Sequence, residues 1–227
     1  MAESEFDGFA GKYDEALERG ISVSGEDKDF FAAGRVERLQ RSLRLLGVKP
    51  RRILDFGCGT GSAIPHLLTI SDSVKGVDVS RASLEIAKQS FQGDPRVGLE
   101  WLGDFREEAM FDLAFCNGVF HHIPPDERAK AVETVRRSLK PDGLFAFWEN
   151  NPWNPGTRIV MSRIPFDRDA IPLSPIAARR LLKAGGFQIL SHEFHFYFPR
   201  CLSLFRFLEG ILRAAPLGAQ YLILVKK

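Results

Sequence analysis

The most informative stretch of this chain is Ile53-Leu54-Asp55-Phe56-Gly57-Cys58-Gly59-Thr60-Gly61. It begins as a mostly apolar run, typical of a buried strand, and continues directly into three glycines at alternate positions. Because glycine has no Cβ atom and tolerates a positive φ, such a turn presses its backbone amides against a ligand at the start of the next helix. The stretch therefore predicts a ligand site at the carboxyl end of a strand.

The residues around this stretch alternate between short apolar runs and helical patterns. This rhythm indicates βαβ units and predicts an α/β, doubly wound, mostly parallel sheet. We predict strands over 52–56, 74–77, 97–101, 111–116, 143–148, 187–194 and 220–225. Helices are predicted over 27–47, 61–69, 82–91, 126–139, 175–184 and 202–213. The proline- and asparagine-rich residues from 149 to about 172 predict a long irregular loop of the kind that tends to be functional.

Length and composition favour one globular domain. The chain has 227 residues, of which 44% are hydrophobic and 26% charged, enough to form a sizeable core. We divide it into an N-terminal helical cap (1–49), a core (50–150) and a segment of loop, lid helix and final strands (151–227). The net charge of +2 is too small for a dedicated nucleic-acid binder, so no nucleic-acid partner is expected.

The three cysteines indicate neither a disulfide framework nor a metal site, and no His-Glu-x-x-His or Cys-x-x-Cys spacing occurs. His192 and His195 fall in a predicted strand with side chains on opposite faces, so no metal is expected there either. No apolar run approaches the ~20 residues that span a bilayer, and the acidic N-terminus is unlike a signal peptide. We therefore expect a cytoplasmic protein.

Four arginines of the first long helix, Arg35, Arg38, Arg41 and Arg44, lie opposite its leucine stripe. Their spread over half of the helix predicts an ordinary solvated face rather than a nucleic-acid stripe.

Three acidic residues follow the predicted strands. Asp55, two residues before the first glycine, suits a cationic ligand and disfavours a pyrophosphate, and Ser62 breaks the dinucleotide glycine pattern, so an NAD(P)-dependent dehydrogenase is the weaker interpretation. Asp78 ends the second strand, where a carboxylate binds ribose hydroxyls or else caps the next helix. Asp104 ends the third strand, where its carboxylate would accept a hydrogen bond from an exocyclic amine while Phe105 stacks on a purine; an Asp-Phe pair alone leaves this role open.

Two further stretches follow these signals along the chain: Phe111-Asp112-Leu113-Ala114-Phe115-Cys116-Asn117 and Leu139-Lys140-Pro141-Asp142-Gly143. Taken in this order, the signals resemble those of the class I S-adenosyl-L-methionine-dependent methyltransferases. The resemblance covers about residues 50 to 150 and is closest to the small-molecule group that includes ubiquinone-biosynthesis-like enzymes (methyltransferase types 11 and 12). It implies a seven-stranded sheet with an antiparallel last strand, S-adenosyl-L-methionine as cofactor and S-adenosyl-L-homocysteine as product.

The resemblance also implies roles for individual residues. The loop of Gly57, Cys58, Gly59 and Gly61 would cradle the methionine part of the cofactor, with Asp55 serving its ammonium group. Further cofactor contacts are implied for Asp78 and Val79 at the ribose, Asp104 and Phe105 at the adenine, Asn117 and Gly118 at the methionyl arm, and Tyr13 over the cofactor. Tyr13 is equally interpreted as an ordinary packed residue.

Methyl transfer to a hydroxyl needs a base, and His121, just beyond the fourth strand, is our candidate. His122 is the alternative, and both histidines are equally interpreted as supports of the loop. A substrate wall is predicted from Glu149 and the amides and indole that follow it, Asn150, Asn151, Trp153 and Asn154, although asparagine and proline also serve simply as turn formers.

The apolar helix predicted over 202–213 carries basic neighbours, and we interpret it as buried or paired rather than as a contact with a membrane surface. The function predicted is methyl transfer, most simply to oxygen, on a small-molecule substrate by a monomer or homodimer. The alternative is a module that binds the cofactor, or regulates through it, without catalysis.

Overall fold

A computed structural model describes residues 5–8, 11 and 13–227, without the side chains of residues 5, 6, 13 and 14. The helices are α1 (Tyr13–Ile21), α2 (Lys28–Leu45), α3 (Ile64–Leu67), α4 (Arg81–Ser90), α5 (Arg128–Ser138), α6 (Pro155–Arg163), α7 (Pro175–Ala184) and α8 (Glu209–Leu212). The strands are β1 (Arg52–Phe56), β2 (Ser73–Asp78), β3 (Val97–Trp101), β4 (Phe111–Asn117), β5 (Leu139–Asn150), β6 (Gln188–His195) and β7 (Gln220–Lys226). Short 3₁₀ helices cover Glu5–Gly8, Ser22–Ser24, Pro165–Asp167 and Arg200–Leu208.

The strands form one seven-stranded sheet in the order β3-β2-β1-β4-β5-β7-β6. The first five pair in parallel, and β7 lies antiparallel between β5 and β6. This confirms the predicted fold class, including the antiparallel last strand. Since β1 is followed by β2 on one side and has β4 on its other side, the crevice where ligands bind in open α/β sheets falls between β1 and β4.

Two apolar layers cover the faces of the sheet. In β1, Leu54 and Phe56 belong to the cluster that packs on α5 and α7, whereas Ile53 belongs to the cluster that packs on α2 and α3. The same alternation continues in β5, which is buried on both faces as a central strand should be. The sheet is thus a rigid support for the loops at its carboxyl edge.

The predicted strands match closely, but two element boundaries differ. α3 covers only Ile64–Leu67, because Gly61 has a φ of +85° that no α-helix accepts. β5 begins at Leu139, where residues 140–143 bulge out of the pairing with β4 and Asp142 has a φ of +62°. The turn predicted over Pro141-Asp142-Gly143 is therefore a bulge inside a longer strand.

The segment predicted as a long irregular loop contains a helix instead, which corrects the sequence interpretation. The side chain of Asn154 accepts a hydrogen bond of 2.9 Å from the backbone N–H of Thr157, and Pro155 occupies the first turn of α6. Asparagine at the N-cap followed by proline is a favourable helix start, so these turn-forming residues begin a helix here.

Two expectations about surfaces are also corrected. Arg35 and Arg38 are half-buried rather than solvated, and Arg38 forms an ion pair of 2.7 Å with Glu209. The segment over 200–212 is mostly a 3₁₀ helix and leaves large side chains exposed, including Leu204 and Ile211 at 80% each. Burial within the described chain is therefore the wrong half of the prediction, and pairing with a second chain stays a prediction. Among the described helices, none has the length and apolar character needed to cross a bilayer.

Candidate active site

The glycine loop after β1 is held by hydrogen bonds to β2. The backbone N–H groups of Gly57 and Cys58 both donate to the carbonyl of Val77, at 2.8 and 3.0 Å. All three glycines have positive φ, from +53° to +85°. A Cβ atom on Gly57 would overlap the side chain of Val119, and one on Gly61 would lie 2.6 Å from Phe91. At Gly59 the same atom would meet nothing within 4 Å, so this glycine faces open space.

Asp55 lies beneath this loop and is buried. Its Oδ2 atom has no hydrogen-bond partner among the residues that the structure describes. Burial, reinforced by the nearby charge of Asp78 and opposed by Arg35, raises the pKa of Asp55 to about 7. A buried carboxylate with an unsatisfied oxygen is costly unless a donor or a cation compensates it.

Asp78 fixes the glycine loop to the end of β2. One carboxylate oxygen accepts from the backbone N–H of Gly59 at 2.7 Å, and the other accepts from Ser80 at 2.8 Å. Burial raises the pKa of Asp78, although these backbone hydrogen bonds oppose the rise. Ser80 itself caps α4 by accepting from Ser83. Val79, between the two, is exposed beside the loop.

The two residues expected at the adenine differ in accessibility. Asp104 is exposed just beyond β3. Phe105 is 2% exposed, and its ring packs 6.3 Å from that of Phe111 in the core. The expectation that Phe105 stacks on a purine is therefore corrected: its ring completes the hydrophobic core, since burying an aromatic ring there stabilises the fold.

Asn117 is the last residue of β4 and Gly118 follows it, beside the end of β1. The Oδ1 atom of Asn117 is buried with no hydrogen-bond partner in the described part of the chain. Gly118 has a φ of +65°, and its N–H donates to the carbonyl of Trp148 at 3.0 Å. Both residues line a cavity of about 340 Å³. Asn117 and Gly118 therefore lie at the boundary between this cavity and the crevice beside the glycine loop.

The cavity is mostly apolar, with charged groups at particular points. Residues from distant segments line it: Ile21, Phe31, Met161 and Phe166 are apolar, whereas Arg35 and Asp167 are charged. The sequence interpretation missed these residues because they come from α1, α2, α6 and a 3₁₀ turn. Only the apolar residues of α6, Val160 and Met161, offered a signal, and the loop prediction concealed it.

His121 lies between two carboxylates. Its Nδ1 atom is 2.6 Å from Oε2 of Glu149, and its Nε2 atom is 3.5 Å from Oδ1 of Asp167. Burial alone would lower the pKa of His121, but the two carboxylates outweigh it and raise the pKa to about 10. His121 is then protonated at neutral pH and does not accept a proton. A raised pKa does not favour the role of general base, which stays a prediction for His121.

Asp167 also contacts the second histidine. Its Oδ1 atom lies 3.2 Å from Nε2 of His122. Burial alone would raise the pKa of Asp167, but the contacts with His121 and His122 outweigh it and lower the pKa. His121, His122 and Asp167 all line the cavity. Two histidines and a carboxylate therefore form one polar cluster at its wall.

Three of the five residues predicted as a substrate wall do not line the cavity. Glu149 is 0% exposed and accepts from the backbone of Phe120 as well as from His121. Asn151 is buried and donates to the carbonyls of Pro216 and Gly218 at 3.1 and 2.8 Å. Trp153 is exposed at the surface. The other two predicted residues, Asn150 and Asn154, do line it.

Two other predicted features have different outcomes. Tyr13 begins α1, but its side chain is outside the described part of the structure, so its predicted contact with the cofactor stays a prediction. His192 packs beside Tyr221, whereas His195 packs on Trp148, in the two different core layers. Their placement on opposite faces of β6 is therefore confirmed.

Three features define the class I S-adenosyl-L-methionine-dependent methyltransferase fold. They are the strand order, the single antiparallel strand between β5 and β6, and the glycine loop with acidic residues after the first strands. Residues 54–147 match the family model described as "Methyltransferase domain". Residues 54–147 therefore form a methyltransferase domain, and together with the fold this confirms the predicted resemblance to the class whose cofactor is S-adenosyl-L-methionine.

Curated relatives share part of this chain. It is 30% identical over 149 residues to a ubiquinone biosynthesis O-methyltransferase of Alkalilimnicola ehrlichii, covering 62% of this chain and 59% of that protein. It is 33% identical over 102 residues to the enzyme of the same name in Paraburkholderia phymatum, covering 43% of each chain. The chain thus matches less than two thirds of the length of these relatives.

Solved structures share the fold over the whole chain. One is a complex of the Haloferax volcanii Trm112 methyltransferase activator with a putative methyltransferase, with a TM-score of 0.66 at 16% identity over 100% of this chain and 98% of that chain. The [4+2]-cyclase SpnF matches with a TM-score of 0.64 at 17% identity over 100% of this chain and 97% of that one. Since a cyclase also has this fold, the fold alone does not define the reaction.

Proposed function

We propose that this protein transfers the methyl group of S-adenosyl-L-methionine to an oxygen atom of a small, partly apolar molecule. The observation that carries the proposal is the shared boundary at Asn117 and Gly118, where the crevice of the glycine loop meets the 340 Å³ cavity. A cofactor beside the loop and an acceptor in the cavity would face each other across these two residues. Alignment of this kind supplies most of the rate when the electrophile is already activated.

The unsatisfied atoms in the crevice fit the methionine part of the cofactor. Asp55 Oδ2 and Asn117 Oδ1 are buried acceptors that find no partner among the described residues, and an ammonium group offers donors and a positive charge. We assign Asp78 to the ribose and Asp104 to the adenine amine, with Val79 beside the ribose. The open space at Gly59 leaves room for the cofactor against the loop. When bound, the cofactor supplies an electrophilic methyl group on a sulfonium.

The cavity sets the class of acceptor. At about 340 Å³ it is at the small end of ligand sites, which suits a small-molecule acceptor. Its aromatic and aliphatic wall suits an apolar ring or chain, and its polar cluster suits a hydroxyl. The relatives are named O-methyltransferases of ubiquinone biosynthesis, which supports oxygen as the acceptor atom.

The experiment measures cofactor binding and methyl transfer separately. Isothermal titration of the purified protein with S-adenosyl-L-methionine should show binding that is lost in Asp55→Ala and kept in Asp72→Ala, a surface control. Incubation with methyl-labelled cofactor and hydroxyl-bearing metabolite pools should then label a small molecule. Binding without any transfer would favour the non-catalytic module, and absence of binding by the folded protein would overturn the proposal.

We further propose that the protein works in the cytoplasm as a monomer or homodimer. The free thiols of Cys58, Cys116 and Cys201 support a reducing compartment. Light scattering of the purified protein tests the oligomeric state.

A further inference from the structure

The polar cluster of His121, His122 and Asp167 has the composition of a metal site. One ligand atom from each residue lies within 4.8 Å of the others. The sequence showed no metal-ligand spacing because Asp167 comes from the Pro165–Asp167 turn, far along the chain from the two histidines. Only the fold brings the three residues together.

The distances in the cluster fit tetrahedral coordination. Zn–N and Zn–O bonds of about 2.0–2.2 Å place two ligand atoms of a tetrahedron about 3.3–3.5 Å apart. Oδ1 of Asp167 lies 3.5 Å from Nε2 of His121 and 3.2 Å from Nε2 of His122. Two of the three distances between ligand atoms are thus already close to those of a tetrahedral zinc site.

Glu149 completes the arrangement around His121. Its carboxylate lies 2.6 Å from Nδ1 of His121 and is itself held by the backbone N–H of Phe120 at 2.8 Å. Because a carboxylate only accepts, the Nδ1 atom carries the proton. In metal sites, a histidine that binds through one nitrogen usually donates its other N–H to such a carboxylate, which fixes the orientation of the ring.

The charges of the cluster also suit a divalent cation. Glu149 and Asp167 are both buried, at 0% and 8% exposed. Two neighbouring buried carboxylates are costly without compensating positive charge. A divalent ion would supply two positive charges and balance both carboxylates, whereas protonated His121 alone supplies one.

We propose that His121, His122 and Asp167 bind a divalent first-row transition-metal ion, with Zn²⁺ as the best match to two imidazoles and one carboxylate. All three residues line the cavity, so the remaining coordination position opens toward the acceptor. The catalytic role of the ion rests on the proposed methyl transfer: an acceptor hydroxyl bound to the ion would ionise more readily and release its proton to water. The resulting oxyanion would form a bond to the methyl carbon as the bond from that carbon to sulfur breaks and S-adenosyl-L-homocysteine leaves.

The test measures metal binding directly. Protein treated with a chelator and then dialysed is titrated with Zn²⁺ by calorimetry and with Co²⁺ by visible absorption. We expect about one ion per chain and a Co²⁺ spectrum typical of tetrahedral coordination. His122→Ala and Asp167→Asn should each weaken Zn²⁺ binding at least about tenfold. His66→Ala is the matched control, since His66 pairs with Asp29 at the surface and is not part of the cluster.

Glu149→Gln is a second variant that keeps the ligands, and it should weaken Zn²⁺ binding about tenfold or more by loosening His121. Absence of stoichiometric binding, or equal binding by wild type and both ligand variants, overturns the metal site. Cofactor binding is measured separately on the metal-free protein. Intact cofactor binding without metal binding overturns the metal site alone, whereas loss of cofactor binding by the wild type overturns the proposed function.

Discussion

The backbone N–H of Gly59 donates a hydrogen bond of 2.7 Å to the Oδ2 atom of Asp78, so the residue assigned to the ribose also holds the glycine loop in place. The other oxygen of Asp78 accepts from Ser80. One carboxylate therefore joins the end of β2, the start of α4 and the loop after β1.

This double role makes Asp78→Asn an informative change. An amide has a single acceptor oxygen, so either Gly59 or Ser80 loses its partner, and the free energy of unfolding should fall by about 1–3 kcal/mol. Affinity for S-adenosyl-L-methionine should fall at least about tenfold, since an anionic acceptor is lost as well. Urea unfolding and calorimetry measure the two effects. Asp72→Asn, at an exposed ion pair with Arg51, should change neither; wild-type cofactor affinity in Asp78→Asn would contradict the ribose assignment.

The glycines of the loop should separate into packing and ligand positions. Gly59→Ala introduces a Cβ into open space at a φ of +53°, so the fold should lose only about 1–2 kcal/mol, while cofactor affinity falls. Gly57→Ala should lower the free energy of unfolding more than Gly59→Ala does, because the new methyl group overlaps Val119.

The control for this comparison is the double variant Gly57→Ala with Val119→Ala, which removes the overlap and should regain part of the lost stability. Thermal unfolding and calorimetric titration provide the two readouts. If Gly59→Ala binds the cofactor like the wild type, the open space at Gly59 is not where the cofactor lies.

Asp55 predicts a pH dependence of cofactor binding. Burial is the main cause that raises the pKa of Asp55 to about 7, so the carboxylate is ionised only in part below neutral pH. Affinity for S-adenosyl-L-methionine should rise roughly tenfold from about pH 6 to about pH 7.5, as the ionised fraction grows. Asp55→Asn should bind weakly over this whole range, and a steep rise that persists in this variant would assign the dependence to another group.

The stability of the free protein should change in the opposite direction. Between the unfolded pKa of 3.8 and the folded value of about 7, the folded state holds a proton that the unfolded state has released. The free energy of unfolding contributed by Asp55 therefore falls as pH rises through this window, by up to about 4 kcal/mol, and stays constant above it. Urea titrations of wild type and Asp55→Asn at matched pH values isolate the contribution.

The fold was predictable because its signals are local. The apolar run of β1 and the glycines that follow it lie within nine consecutive residues, and strand periodicity is read over similarly short windows. Boundaries were less certain where a special backbone geometry intervened, as at Gly61 and Asp142, whose positive φ values no pattern of apolar residues encodes.

The cavity was not predictable for the converse reason. Its wall joins α1, α2, α6 and the loops after β4 and β5, and their proximity depends on packing rather than on spacing. Arg35 is an example: its position on α2 opposite the leucines predicts that the side chain is solvated. The start of β7 packs there instead, and the Arg35 side chain donates a hydrogen bond of 2.9 Å to Gln220. The partnership of His121 with Glu149 likewise follows only from the adjacency of β4 and β5.

Asn151 and Trp153 test the corrected view of the segment after β5. The buried amide of Asn151 satisfies two carbonyls of the chain before β7, so Asn151→Ala leaves both without this donor and should cost about 2–3 kcal/mol in urea unfolding. Asn151→Asp keeps the oxygen that accepts from the backbone N–H of Trp153 but loses the donors, so it should lower the free energy of unfolding at least as much.

Trp153→Ala, at a side chain 46% exposed and outside the cavity wall, should change the free energy of unfolding by less than about 1 kcal/mol and leave methyl transfer intact. The reverse pattern, a stable Asn151→Ala and a Trp153→Ala with a raised KM for the acceptor, would return both residues to the substrate wall and show that the cavity extends beyond the residues assigned to it.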